Sequence, residues 1–202
     1  MKGKTHLGVG IVISIALYEK LSLDFNIISL GVVAVGSLLP DIDHPKSMIN
    51  KYILPFKNKF TKVIMYICIG IIFLWYSMTS GGIPHIKAIG ILFIFIAISS
   101  HRNGLTHSLT GMIMFSVIAG YIGNIYNIHN IIYYFMIGYG SHLLCDMATP
   151  RGVPLFYPFK DGNIKLPITV RTNSKAGNIL ENLIVILGYG YIIYRLPNII
   201  KL

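Results

Sequence analysis

Acidic residues are scarce: Asp and Glu together number seven in 202 residues, and all charged residues make up only 12% of the chain. A soluble domain covers its surface with about 25% charged residues, so this poverty excludes an ordinary water-exposed surface. Cysteine is almost absent. Cys68 and Cys145 each sit inside an apolar run, which excludes a disulfide framework. Apolar residues do not alternate with polar ones, which excludes half-buried strands. No small-residue cleavage site follows the first apolar run, so the N-terminal segment is expected to stay in the mature protein. The net charge of +10 comes from basic residues that flank apolar runs and form no polar domain. Nucleic acid is therefore not an expected partner. Membrane lipids are, because such residues set topology and meet anionic headgroups.

What is present is apolar. Hydrophobic residues are 54% of the chain and mean hydropathy is +0.67. Five runs stand out, at Val63–Ser80, Ala88–Ser100, Leu109–Gly123, Ile131–Cys145 and Ile179–Tyr194, and two weaker ones precede them at Leu7–Tyr18 and Phe25–Leu39. The expectation is an all-α, polytopic membrane bundle of five to seven helices, folded as a single domain over residues 1–202. Several runs fall short of the roughly 20 residues that cross a hydrocarbon core. Either they cross with polar ends that reach an internal, water-filled site, or some are re-entrant.

Seven alternating helices with a cytoplasmic N-terminus leave Lys2, Lys4, Lys46, Lys51, Lys57, Lys59, Lys62, Arg102, Arg151, Lys160, Lys165, Arg171 and Lys175 inside. Only Lys20, Lys87, Arg195 and Lys201 fall outside. The bias follows the positive-inside rule.

Ionisable groups at the ends of apolar helices are costly unless paired or metal-bound, and here they gather. Pro40-Asp41-Ile42-Asp43-His44-Pro45 follows the second run and offers oxygen and nitrogen ligands to a cation such as Zn²⁺. His101-Arg102-Asn103-Gly104-Leu105-Thr106-His107-Ser108 separates two runs. Thr106 or Ser108 there could cap the next helix, with His107 in its first turn. His142 and Asp146 stand four apart on one helical face and can grip one metal ion. His6 starts the first helix and Glu181 the last. In the seven-helix topology all of these fall at the same end, as a site built from helix ends requires.

Together, Thr5-His6, Gly36–Pro45, Gly104–Leu109 and Gly140–Pro150 resemble the YdjM-like family of bacterial inner-membrane, metal-dependent hydrolases, and Gly152–Phe159 also fits. The resemblance runs from Thr5 to about Glu181. Where the family has a more basic stretch and a Trp, this chain has His101-Arg102-Asn103 and Tyr157. The resemblance implies ligand roles for His6, Asp41, Asp43, His44, His107, His142 and Asp146, with Glu181 as a further candidate. The order of ligands is also similar to that of zinc-dependent phospholipase C enzymes, which are helical and act on phosphodiesters with a cluster of zinc ions.

The expected function is a multi-pass inner-membrane phosphoester hydrolase with a cytoplasmic site. It is expected to hold two divalent ions, Zn²⁺ by preference, and to act on a lipid or lipid-linked substrate. Asp41 or Asp43 would serve as general base, and Arg102 or Arg151 would hold anionic oxygens. The alternative is a non-catalytic scaffold or regulator with a structural metal site and a cytosolic protein partner.

Overall fold

In the computed structural model, which describes residues 1–99 and 104–200, each of the seven apolar runs is a helix. They are α1 (Gly3–Leu17), α2 (Ile27–Leu38), α4 (Lys59–Thr79), α5 (Pro84–Ile98), α6 (Leu109–Ile125), α7 (Ile131–Met147) and α8 (Lys175–Ile200). The sequence did not announce α3, a single short helix at Asn50–Ile53. Two 3-10 turns, Leu39–Asp43 and Leu105–His107, lead out of α2 and into α6. There is no strand among the described residues. The one antiparallel bridge, Val153 with Ile164, ties the long loop between α7 and α8.

Local chemistry sets the helix ends. Asn26 accepts from the backbone of Ser29, and the Ser29 hydroxyl accepts in return from the Asn26 backbone, forming a capping box on α2. Asn58 caps α4 and Ser108 caps α6 through backbone N–H groups three residues on. Lys62, expected on the basic inner surface, is instead buried in α4. Its ammonium donates to the carbonyls of Ile96 at 3.1 Å and Ser99 at 3.0 Å, closing the C-terminal end of α5.

Helix α7 lies at the centre, packed on α1, α2 and α6. Its contact with α2 is close because both helices carry glycine there. A Cβ on Gly36 would stand 2.6 Å from the Phe135 carbonyl oxygen, and one on Gly138 would stand 2.4 Å from that of Val33. Small residues bring backbones together where lipid supplies no hydrophobic drive between helices. The core divides into a cluster around Tyr66, Phe115, Phe135 and Tyr139 and another around Tyr18, Phe25, Val33 and Tyr134.

Helices α4 and α8 are long and apolar enough to cross a membrane by length and composition. At 1.5 Å per residue, α1, with 15 residues, rises about 22 Å, short of the ~30 Å hydrocarbon core. Outward faces are apolar: Ile71, Ile72 and Trp75 on α4 and Ile186, Leu187 and Tyr189 on α8 are exposed. Such surface suits lipid rather than water.

Candidate metal centre

The polar end of the bundle assembles side chains from four separated stretches. Asp41 comes from the 3-10 turn after α2, His107 from the turn before α6, and His142 and Asp146 from the last turns of α7. One donor atom from each lies within 4.8 Å of every other. The two imidazole Nε2 atoms are 3.4 Å apart. His107 Nε2 is 3.6 Å from both Asp41 Oδ1 and Asp146 Oδ2. His142 Nε2 is 3.5 Å from Asp146 Oδ2 and 3.9 Å from Asp41 Oδ1.

These separations fit a cation. Four donors at about 2.1 Å from a tetrahedral zinc ion stand about 3.4 Å from one another. The tautomers fit as well. His142 Nδ1 lies 2.8 Å from the Ser37 carbonyl oxygen, which can only accept, so Nδ1 carries the proton and Nε2 presents its lone pair. Thr106 donates its hydroxyl proton to Asp43 Oδ2 at 2.8 Å. Its oxygen then accepts from His107 Nδ1 at 3.2 Å, and His107 Nε2 also faces the centre.

His6 adds a third imidazole. It is wholly buried and stacks on His142 with ring centroids 3.8 Å apart. Neither of its ring nitrogens has a hydrogen-bond partner among the described residues, although Nε2 approaches Asp146 Oδ1 to 3.3 Å. A buried, unsatisfied imidazole beside four convergent donors is the pattern of a site that takes an ion.

The other expected ligands stand outside the group of four. Asp43 is buried and holds Thr106. His44 Nδ1 accepts from the Lys46 backbone at 3.3 Å. Glu181 accepts from Thr5 Oγ1 at 2.9 Å and from the Lys2 backbone at 3.2 Å, so it joins the start of α8 to the start of α1. His101 and Arg102 lie outside the described residues. His107 precedes α6 rather than occupying its first turn, and Ser108 rather than Thr106 is the cap.

Charge within the centre is balanced by contact. Burial pushes the Asp41 carboxyl up, but the contact with His107 and the fields of His142 and His6 outweigh it and hold the group below the usual carboxylate range. For His107 burial acts downward. The carboxylates of Asp146 and Asp41, each 3.6 Å from Nε2, overcome it, and in the absence of an ion the imidazole is pushed up to about 10.

Three residues support the centre, of which Asn50 carries no sequence signal and Ser37 and Thr106 stand inside the quoted motifs without a role read from them. Asn50 donates to the carbonyls of Ile42 and His44, both at 2.8 Å, and accepts from the Tyr66 hydroxyl, which fixes the Asp41–His44 turn. Ser37 supplies the carbonyl that orients His142, and the Thr106 hydroxyl links Asp43 to His107.

Asp41, His107 and Asp146 open into a pocket of about 360 Å³. Its far wall is the loop after α7, with Arg151, Asn163, Arg171 and Thr172 among the lining residues. The α-amino group of Met1 also lines it and donates to Asp146 Oδ1 at 2.8 Å.

The chain is similar to the inner membrane protein YdjM of Escherichia coli and that of Shigella flexneri, at 31% identity over 151 residues in each case. The match covers 73% of this chain and 56% of those proteins, so the chain spans little more than half their length. It is also similar to YvsG of Bacillus subtilis, at 29% identity over 86% of this chain and 83% of that protein. No solved structure matches. The likeness to zinc-dependent phospholipase C finds no support in these matches. The family model described as YdjM inner membrane protein matches residues 1–199, and the chain belongs to that family.

Proposed function

We propose that this protein is a membrane-embedded, metal-dependent hydrolase of phosphoesters, with its site on the cytoplasmic side of the bacterial inner membrane. The observation that carries the reading is the convergence of His107 Nε2, His142 Nε2, Asp41 and Asp146 beside a pocket that Asp41, His107 and Asp146 share with Arg151 and Arg171. A divalent ion, Zn²⁺ by donor chemistry, would be held by these four residues and would supply Lewis acidity toward a phosphoryl oxygen and a water molecule.

The chain's own groups do the rest. Asp41, whose side chain is 22% exposed, lines the pocket, and a carboxylate oxygen not engaged by the ion would accept a hydrogen bond from the attacking water and orient it. Asp43 acts through Thr106 to hold the His107 ring. Arg102 or Arg151 would hold the anionic oxygens, and Arg151 lines the pocket. The group of four accounts for one ion, and the second ion in this reading would draw on donors beside it, such as His6. A lipid or lipid-linked ester suits a site at the polar end of a membrane bundle.

One observation favours a second reading. Four protein donors saturate a tetrahedral ion, as in structural sites, whereas catalytic zinc keeps a position open. A scaffold or regulator with a structural ion, docking a cytosolic protein through its basic loops, would have that character. The deciding experiment is metal analysis by mass spectrometry on detergent-purified wild type beside His142→Ala/Asp146→Ala, followed by a phosphoester turnover screen. Metal and turnover lost together in a variant that still inserts supports the hydrolase. Metal lost in the variant, with no phosphoester turned over by the loaded wild type, gives the scaffold. Turnover retained in the variant overturns the mechanism.

A further inference from the structure

The loop between α7 and α8 is pinned at many points. Leu166 donates its backbone N–H to the Met147 carbonyl at 2.8 Å, and Val170 donates to that of Ala148 at 2.9 Å. Val153 and Ile164 exchange hydrogen bonds at 3.0 and 2.8 Å. Gly152, at φ +65°, makes that exchange possible, since a Cβ there would stand 2.3 Å from the Ile164 carbonyl oxygen. Leu109 donates to the Leu155 carbonyl at 2.9 Å and Thr110 Oγ1 to that of Tyr157 at 2.8 Å, which fastens the loop to α6.

Two arginines on this fixed frame, Arg151 and Arg171, line the same pocket as Asp41, His107 and Asp146. The Asn163 side chain donates to the Arg151 carbonyl at 3.1 Å, and the Ser174 hydroxyl donates to that of Arg171 at 2.7 Å. Neither guanidinium forms an ion pair among the described residues. Both are exposed residues that line one pocket, where two cations favour an entering anion.

Charge counting favours a multiply charged anion. With both imidazoles neutral, a divalent ion is offset by Asp41 and Asp146. The two arginines and the α-amino group of Met1 then leave the pocket with an excess of positive charge. We propose that Arg151 and Arg171 form an anion subsite selecting a doubly charged terminal phosphate, a phosphomonoester or diphosphate end group, over a singly charged phosphodiester. The subsite names the substrate class of the hydrolase reading and rests on it for its charge balance. Guanidinium groups suit the task because each can engage two phosphoryl oxygens.

The test uses the full chain in phosphatidylcholine nanodiscs, zinc-loaded and chelator-stripped, titrated calorimetrically with orthophosphate and with dimethyl phosphate near pH 8. The expected result on loaded protein is orthophosphate bound at least about tenfold tighter than dimethyl phosphate. That preference should vanish in Arg171→Gln and in Arg151→Gln at unchanged metal content, and persist in Lys160→Gln/Lys165→Gln. Equal affinity for the two anions, or an equal fall in the lysine variant, overturns the subsite and leaves the hydrolase reading intact. Protein that takes up no zinc but still prefers orthophosphate through the arginines supports the subsite and refutes the hydrolase. Displacement of orthophosphate in nanodiscs containing phosphatidic acid identifies a lipid as the source of the phosphate, and its absence identifies a soluble ester.

Discussion

Replacing Thr106 by Val tests whether the hydroxyl between Asp43 and His107 organises the metal centre. The side chains have nearly the same shape, so packing changes little. What disappears is the 2.8 Å bond to Asp43 Oδ2 and the 3.2 Å contact that keeps the proton on His107 Nδ1. Removing a donor from a buried carboxylate costs about 1–3 kcal/mol. Removing an outer partner of a ligating histidine lowers metal affinity roughly 10- to 100-fold, equivalent to about 1.4–2.7 kcal/mol. Chelator competition on purified protein measures the second quantity, and thermal unfolding of the metal-free form measures the first. Thr106→Ser keeps the hydroxyl and should restore most of the affinity. Wild-type zinc affinity in Thr106→Val would refute the reasoning, because His107 would then need no partner to present Nε2.

Three further outcomes follow from the geometry. His107 is protonated at neutral pH when no ion is bound, its value being about 10, and an ion needs the bare nitrogen. Apparent zinc affinity should therefore rise about tenfold per unit between about pH 7 and 9, with close to one proton released per ion in calorimetry across buffers of different ionisation enthalpy; a flat profile would contradict the assignment. The same shift implies that the metal-free fold draws stability from His107 below about pH 6.5 and loses it as pH rises toward about 10, visible as a falling unfolding temperature in chelator. Gly138→Ala places a methyl against the Val33 carbonyl, which should cost about 1–3 kcal/mol and weaken metal binding by moving Ser37 from His142. Unaltered unfolding and affinity would show that α2 and α7 do not need that approach.

Much of this was legible in the chain because membrane helices advertise themselves by composition. All seven apolar runs became helices, and the i,i+4 spacing of His142 and Asp146 put both on one face of α7. Asp41, Asp43 and His44 were harder to separate. In a 3-10 turn of three residues per rotation, positions two apart point about 240° around the axis from each other. Asp41 therefore meets the imidazoles while Asp43 turns to Thr106, a division that spacing alone does not disclose. Nor did the chain announce Asn50, whose amide gathers two carbonyls of the turn, because an isolated Asn beside lysines reads as an ordinary loop residue. Lys62 shows the opposite failure, being counted with the basic surface while its ammonium lies under α5.

Because Asp41, His107 and the α7 pair lie far apart in the chain, with His142 standing 35 positions after His107, an ion at this centre would act as a staple between segments made at different times. It could not bind when the first hairpin enters the bilayer, since α7 must be in place before three of the four donors exist together. Loading would thus be a late event in biogenesis, and chain truncated before His142 should insert yet hold no metal. Once seated, the ion would close two long loops at a single point, an entropic gain that grows only slowly with loop length but is lost all at once when it leaves. Chelation would then loosen the whole polar end of the bundle rather than one side chain.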